Sequence, residues 1–168
     1  MMIEFRSSIG QDSHRFETKD RLSEKPKPLI LAGVMIPGIE GLEGNSDADV
    51  VLHALTNAIS GISCVNILGA ISDEMCLERS VTDSRAYLQA ALETLGEYKL
   101  VNISFSIECK RPHITTFIKQ MRQNIAEATK LSPDSIGITA TSGEGLTDFG
   151  KGFGIQTLCI ITVKRELL

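Results

Sequence analysis

Apolar residues recur along the chain at two different spacings, and these spacings predict both strands and helices. The segment LVNISFSIEC (100–109) places Val101, Ile103 and Phe105 at every second position, which is the period of a strand with one buried face. Four other segments are predicted to be strands: 3–16, 29–37, 135–142 and 153–165. Pro37 is expected to end the second of them, because proline cannot donate to a strand ladder.

Helical spacing appears first in NSDADVVLHALTNAISG (45–61), where apolar positions fall three and four residues apart. Ser46 is expected to be the N-cap of this helix, and Gly61 is expected to end it. Asp49 lies in the predicted first turn, four residues before His53. It acts either at the helix start, as a first-turn charge or capping-box partner of Ser46, or at a metal, as a ligand or as a carboxylate that orients His53.

Two further helices are predicted over 85–98, where Asp83 or Ser84 is the cap, and over 114–130. The intervening segments are expected to be loops: 19–28, 38–44, 62–82 and 143–152. The element order is therefore β β α α β α β β, with no repeat and no linker. Since 168 residues suit one domain, we expect a single α+β domain over 1–168, with a mixed sheet and helices packed on one face.

Composition narrows the possible partners. The net charge of −4, without a dense Lys/Arg cluster, argues against a nucleic-acid partner but leaves room for a small anionic ligand. No apolar run approaches the roughly 18 residues of a membrane-spanning helix, and the first residues lack an apolar signal core. The cysteines at 64, 76, 109 and 159 form no C-x-x-C pair, which favours buried free thiols. These features predict a cytoplasmic protein without a membrane partner.

The stretch IGQDSHRF (9–16) carries the first candidate chemistry. Asp12 and His14 are two residues apart on a predicted strand, so both side chains project from the same face. If this strand end meets the first helix, His53 adds a second imidazole. One carboxylate and two imidazoles are the ligands of a catalytic zinc site with an open position, and iron(II) accepts the same set. Taken singly, Asp12 and His14 also fit a polar strand end, and His53 fits a core histidine.

A second polar centre is the loop TATSGEGLTDFGKG (139–152). Its hydroxyls and glycine amides, with Lys151 nearby, are donors that suit a phosphate. Glu144 would repel a phosphate unless a divalent cation lies between them, which indicates magnesium. A third is the basic turn at Pro112 and His113, which suits a phosphate, a base or simply a strand-to-helix connection. Each of these segments also fits an ordinary polar loop.

Taken together, these segments resemble one family. The ordered set D-x-H-R-F, LAGVMIP, SDADVVLHALTNAISG, DSRAYL and TATSGEGLTDFGKGFGI is similar to the 2-C-methyl-D-erythritol 2,4-cyclodiphosphate synthases over nearly the whole length. The resemblance implies an enzyme of non-mevalonate isoprenoid biosynthesis. Such an enzyme converts 4-diphosphocytidyl-2-C-methyl-D-erythritol 2-phosphate to the cyclodiphosphate and releases CMP. It also implies a homotrimer with active sites at the subunit interfaces.

The resemblance assigns a role to each matching residue. Zinc is expected at Asp12, His14 and His53, and a second divalent cation, Mg²⁺ or Mn²⁺, at Glu144. The remaining expected substrate contacts are Asn45, Ser46, Gly69, Asp73, Pro112, His113, Ala140, Thr141, Ser142 and Lys151. Those at 112–113 and 140–142 correspond to the cytidine pocket, and Asn45 with Ser46 to the erythritol phosphate.

Three positions depart from the family pattern. Asn45 stands where a histidine is frequent, and Ile67 stands where an acid is expected, so that Asp73 or Glu74 would have to replace it. Phe153 replaces the acid of a frequent G-R-G-E-G run. Two alternatives therefore remain: a zinc-dependent phosphodiesterase on the same scaffold, and a non-catalytic, zinc-stabilised trimeric binding protein.

Overall fold

The structure is a computed structural model that describes residues 2–18 and 27–167. These residues contain six strands and five α-helices. The strands are β1 (Met2–Arg15), β2 (Pro28–Leu31), β3 (Val34–Glu40), β4 (Lys99–Glu108), β5 (Ile136–Thr141) and β6 (Gly154–Leu167). The helices are α1 (Val50–Ser63), α2 (Ala70–Asp73), α3 (Ser84–Glu93), α4 (Ile118–Thr129) and α5 (Asp148–Lys151).

Four of the strands form one sheet in the order β1-β6-β4-β5. β1 and β6 pair antiparallel along their whole length, from Met2 with Leu167 to Arg15 with Gly154. β4 runs antiparallel to β6 and parallel to β5, so the expected mixed sheet is confirmed. Since β1, β4 and β5 run in the same direction, their carboxyl ends lie at the same end of the sheet.

One face of this sheet carries the core. Along β6 the side chains of Ile155, Thr157, Cys159, Ile161 and Val163 are buried, while the positions between them are half-buried or exposed. The buried face contacts α1, which lies across β1 and β6. Gly10 on β1 permits this close approach, because a Cβ there would lie 2.1 Å from the carbonyl oxygen of Ala54.

The predicted strand at 29–37 is wrong, since this segment is a hairpin. β2 and β3 pair antiparallel around a turn at Ala32 and Gly33, both of which have positive φ. Pro37 lies within β3, which continues to Glu40. An edge strand tolerates this proline because its missing N–H is not needed in the ladder.

The bounds of α1 also differ from the prediction. Asp49, not Ser46, is the N-cap, and its carboxylate accepts the N–H groups of the first turn. The helix ends at Ser63, two residues beyond Gly61. The predicted cap therefore lay one turn too early, because residues 43–46 are bends and Ala48 has positive φ, so helical backbone begins only after Asp49.

Two predicted loops contain helical structure. Within 62–82 lies α2, followed by a π-helical turn over Glu74–Glu78, and within 143–152 lies α5. The expected third helix is a 3₁₀ turn, Ile114–Thr116, followed by α4. Most of the charged loop predicted at 19–28 falls on 19–26, which lies outside the described residues.

The four cysteines are all free thiols, but only two are buried. Cys109 and Cys159 lie in the core, whereas Cys64 is exposed at the end of α1 and Cys76 is half-buried. The expectation that all four are buried is therefore wrong for these two. Among the described residues, no helix is long and apolar enough to cross a membrane.

Candidate metal centre

Asp12, His14 and His53 meet where the carboxyl end of β1 passes the first turns of α1. Nδ1 of His53 lies 2.9 Å from Oδ2 of Asp12, and Nε2 of His14 lies 3.1 Å from the same oxygen. The two imidazole rings are 5.7 Å apart and inclined at 62°. Strand alternation aims Asp12 and His14 at the helix, and the close approach at Gly10 brings His53 within reach of them.

The three side chains fit a divalent metal. Their donor atoms lie within 4.8 Å of one another. A tetrahedral zinc ion with bonds of about 2.0–2.1 Å holds neighbouring ligand atoms roughly 3.3 Å apart, close to the distances found here. Burial also suits the role, since only 9% of the His53 side chain, 22% of that of Asp12 and 25% of that of His14 are exposed.

The electrostatics keep Asp12 ionised. Burial raises its pKa, but the hydrogen bonds and charges of His14 and His53 outweigh this effect, so the pKa lies below its usual range. An anionic carboxylate beside two imidazoles is the protonation state that a metal requires of this ligand.

The donor atoms open into a cavity of about 310 Å³. Its lining residues come from β1, the loop before α1, α1 itself, the segment around α2, and α3: Asp12, His14, Gly44, Asn45, Ser46, His53, Leu68, Ser72, Asp73, Cys76 and Tyr87. Gly44 leaves room for the ring of His14, since a Cβ there would lie 3.4 Å from its Cε1. A cavity of this size admits a small ligand at the open side of the metal ligands.

Two of the expected substrate contacts, Asn45 and Ser46, reach this cavity. Lys27 fixes their loop, because its ammonium group donates to the carbonyl oxygens of Gly44 and Ser46 at 2.5 Å and 2.9 Å. Burial lowers the pKa of Lys27, and the nearby carboxylates of Glu17 and Asp47 oppose that effect. The loop thus presents the Asn45 side chain on a backbone anchored by a cation.

Asp49 connects elements rather than contacting a ligand. Its carboxylate accepts four backbone N–H groups, those of Ala32, Gly33, Val51 and Leu52. Burial raises its pKa to about 6, against these hydrogen bonds. Of the two roles considered for Asp49, the structure shows the capping one, and none of these bonds reaches the ring of His53.

Of the residues expected to contact substrate from the segment around α2, one lines the cavity and two do not. Asp73 lines the cavity, whereas Glu74 pairs with Arg79 at 2.5 Å. Ile67 is only 3% exposed and belongs to the core, so it cannot replace an acid at the cavity. Gly69, exposed and at φ +110°, begins α2 without lining the cavity.

The other expected contacts lie elsewhere on the sheet. None of these contacts lines the cavity at the metal ligands: they lie in the last residues of β5 or beyond the carboxyl ends of β4 and β5, and are Pro112, His113, Ala140, Thr141, Ser142, Glu144 and Lys151. The two groups share one end of the sheet, but β1 and β5 are its opposite edges. Those two edge strands are three strand spacings, roughly 14 Å, apart. Within the described residues the expected contacts therefore fall into two expected half-sites, one near β1 and one near β4 and β5, which do not line one common cavity.

Five lining residues were missed in the sequence: Gly44, Leu68, Ser72, Cys76 and Tyr87. Tyr87 packs its ring 6.1 Å from that of His53, and its hydroxyl donates to the carbonyl of Val81. Burial and the neighbouring Cys76 raise the pKa of Tyr87. Because Leu68, Ser72 and Cys76 lie in a segment without periodicity, the sequence carried no signal for them.

A single α+β domain with a D-x-H strand end, a helical histidine and a polar cavity defines the class of metal-dependent enzymes that act on small molecules. A family model, the YgbB family, matches residues 5–164. The chain belongs to this family.

Curated relatives within this family share one enzyme name. A protein of Chlamydia felis is 47% identical over 161 residues, covering 95% of this chain and 89% of the relative. One of Chlamydia muridarum is 44% identical over 160 residues, covering 95% and 88%. Both are named 2-C-methyl-D-erythritol 2,4-cyclodiphosphate synthase.

Solved structures share the fold. The bifunctional IspDF of Campylobacter jejuni has a TM-score of 0.85 and 28% identity, and the match covers 98% of this chain but 43% of that longer one. A 2C-methyl-D-erythritol-2,4-cyclodiphosphate synthase has a TM-score of 0.75 and 27% identity, covering 94% and 99%. A form of such a synthase bound to CDP has a TM-score of 0.75 and 26% identity, with the same coverage.

Proposed function

We propose that this chain is a 2-C-methyl-D-erythritol 2,4-cyclodiphosphate synthase of isoprenoid biosynthesis. The observation that carries this proposal is the cluster of Asp12, His14 and His53 at an open cavity, in a chain whose family and curated relatives have this activity. The enzyme is a phosphorus–oxygen lyase that cyclises 4-diphosphocytidyl-2-C-methyl-D-erythritol 2-phosphate and releases CMP.

The reaction forms one bond and breaks one. An oxygen of the substrate's 2-phosphate attacks the β-phosphorus, and the bond between that phosphorus and the oxygen bridging to the CMP phosphate breaks. CMP leaves with the bridging oxygen, and no water is consumed. Since the nucleophile belongs to the substrate, the protein must position two phosphates and offset their charge.

Different residues at the cavity would position the phosphates and offset their charge. Asp12, His14 and His53 would hold zinc, which as a Lewis acid polarises a phosphate oxygen of the bound substrate. Asn45 and Ser46 would donate to the phosphate on the erythritol, from the loop that Lys27 anchors. Asp73, which lines the cavity, would meet the erythritol hydroxyls without a second acid beside it, since position 67 is a buried isoleucine.

The second half-site would bind the nucleotide. Glu144, exposed at φ +51°, would hold Mg²⁺ or Mn²⁺ between the phosphates. The cytidine contacts would be Pro112, His113, Ala140, Thr141 and Ser142, and Lys151 would add a cation near the phosphates. The solved synthase that binds CDP supports a nucleotide ligand here.

A homotrimer would complete the active site. The half-site at β1 and the half-site at β5 lie on opposite edges of one sheet, so they meet only if unlike edges of two copies adjoin. Such head-to-tail contacts form a closed ring when the rotation from one copy to the next divides a full turn evenly, and in a trimer that rotation would be about 120°. Three copies are the number that the family resemblance implies.

The outer face of the sheet supplies a surface for this ring. Ile9 and Ile160 are paired across β1 and β6, yet they are 62% and 51% exposed, and Phe5 is 60% exposed. Small hydroxyl side chains, among them Ser104 and Ser106, adjoin them on β4. An apolar strip on a sheet face without a second layer is typical of a surface that another subunit covers.

The activity test separates this function from its alternatives. The full chain, loaded with zinc and supplied with magnesium, is expected to release CMP and to give a cyclic diphosphate, identified by phosphorus NMR. An acyclic product would instead identify a phosphodiesterase, and an absence of CMP would identify a binding protein. His53→Ala is expected to lose zinc and activity while it keeps the fold, because its packing depends on Val50, Leu55 and Ile59.

A mixing experiment tests the shared site. His53→Ala and Glu144→Gln are each expected to be inactive, and they are unfolded and refolded together in equal amounts. Random assembly gives about one site in four with both intact halves, so about a quarter of the wild-type activity should return. No recovery in mixed assemblies would show that each site lies within one chain.

The oligomer is measured by light scattering. Wild type is expected at about 55 kDa, three chains of 18.3 kDa. Ile160→Glu places a charge on the apolar strip and should give monomers. Met35→Glu is the matched control, because Met35 is 65% exposed on the β2–β3 hairpin, away from the sheet. Equal masses for both variants would contradict the proposed interface.

A further inference from the structure

The ring of His53 makes a second contact, on the side away from Asp12. Its Nε2 lies 2.8 Å from Oγ of Ser84, the first residue of α3, which is fully buried. The Ser84 hydroxyl in turn makes a short hydrogen bond with Oδ1 of Asp47. A chain of three side chains thus runs from the cavity into the contact between α1 and α3.

The direction of these bonds follows from what each group can donate. Asp47 also accepts the N–H of Ser84 at 3.1 Å and the N–H of Asp49 at 3.2 Å, as an ionised carboxylate does. The single hydroxyl proton of Ser84 therefore points to Asp47, and the oxygen lone pairs of Ser84 point to His53. Nε2 of His53 must then carry a proton and donate it.

This arrangement determines which nitrogen can bind a metal. A neutral imidazole with its proton on Nε2 has its lone pair on Nδ1, the nitrogen that lies 2.9 Å from Asp12. A neutral ring with its proton on Nδ1 would turn that proton toward the metal and would leave Ser84 with no donor. The hydrogen-bond chain and the metal ligands thus require the same tautomer.

We propose that Ser84 and Asp47 are positioning residues for the metal, which hold His53 in the orientation and tautomer that present Nδ1 to it. This inference rests on the proposed metal site. Neither residue lines the cavity, so neither touches the substrate. Partners of this kind typically change metal affinity by about 10–100-fold when they are removed.

The first test measures zinc affinity by competition with a chromophoric chelator. Ser84→Ala removes the acceptor of the His53 proton and is expected to weaken zinc binding by about 10–100-fold. Ser60→Ala is the matched control, since Ser60 is a buried serine of α1 whose hydroxyl faces the N–H of Ile67, outside the metal ligands. Asp47→Asn keeps an oxygen for Ser84 without the charge, and its affinity should fall between those of Ser84→Ala and wild type.

A second readout separates positioning from general destabilisation. The chain has three histidines, so nitrogen NMR of the zinc-loaded protein resolves each ring. His113→Gln identifies one of them, and the other two differ in the nitrogen that faces the metal, Nε2 in His14 and Nδ1 in His53. Wild type should show a slowly exchanging proton on Nε2 of His53, and Ser84→Ala should lose that protection. Thermal unfolding of the metal-free variants checks that each is folded.

The outcomes are distinguishable. Zinc affinity and an Nε2 proton unchanged in folded Ser84→Ala would overturn the positioning role and leave the metal site standing. If His53→Ala binds zinc as tightly as wild type does, the proposed metal site itself fails. If Ser60→Ala weakens zinc binding as much as Ser84→Ala does, the effect belongs to helix packing and the positioning role is refuted.

Discussion

Gly10→Ala tests the link between the packing of α1 and the metal ligands. A Cβ at this position would lie 2.1 Å from the carbonyl oxygen of Ala54, 2.3 Å from the backbone nitrogen of Ala58 and 2.9 Å from the carbonyl carbon of Asn57. All three are backbone atoms of one helix, so no side chain can rotate away. Ordinary contact begins near 3.4 Å, and α1 would have to recede from β1 by about 1 Å.

Two effects of this displacement can be estimated. Forcing an extra methyl group into a packed contact costs about 1–3 kcal/mol of stability. The same movement carries His53, the neighbour of Ala54, and it would widen the 2.9 Å gap to Asp12 to about 4 Å. A gap of that size exceeds the roughly 3.3 Å edge of a tetrahedral zinc site. A misplacement near 1 Å can cost about 100-fold in activity, so we expect activity to fall more than stability does.

The assays are urea unfolding of the metal-free protein, chelator competition for zinc, and CMP release. Gly137→Ala is the control, because a Cβ at this strand glycine meets nothing closer than 3.6 Å. It should leave zinc affinity unchanged. A Gly10→Ala protein that keeps wild-type stability and zinc affinity would refute the argument that this glycine sets the distance between β1 and α1.

Two further substitutions and one labelling reaction probe separate parts of the molecule. Asp49→Asn replaces one of the two acceptor oxygens with a donor, so the N–H of Gly33 loses its acceptor if the other oxygen keeps its three partners, and urea unfolding should show a loss of about 1–3 kcal/mol. Glu144→Gln should abolish CMP release at every magnesium concentration while zinc content, measured by atomic absorption, stays at the wild-type level. In native protein a disulfide reagent should modify exposed Cys64 first, whereas Cys109, whose pKa burial raises to about 11, should react only after unfolding. Equal rates for the two thiols would contradict the burial of Cys109.

Part of the candidate site could be read from the sequence because it depends on local periods. Alternation in β1 places Asp12 and His14 on one face, and the helical period of α1 turns His53 to the same side as the core. The mixed sheet and its order of elements follow from similar patterns. The pairing of His53 with the strand end came from the family resemblance, since two periods alone do not show which elements adjoin.

The features that the sequence did not predict depend on contacts between residues far apart in the chain. The turn of the β2–β3 hairpin lies at Ala32 and Gly33, inside an apolar run without the Asn-Gly or Asp-Gly pair that identifies such turns. Its N–H groups are satisfied by Asp49, 16 and 17 residues later, which also moves the start of α1. The bond from His53 to Ser84 spans 31 residues and leaves no periodic pattern.

The position of Asp49 has a consequence for how the molecule opens. One carboxylate closes the hairpin turn and starts the helix that carries His53, so neither element can open without breaking bonds of the other. We expect the amide of Gly33, although it lies in a turn, to exchange its proton with solvent as slowly as the amides of α1. The hairpin and the metal-bearing helix should therefore behave as one cooperative unit in hydrogen exchange.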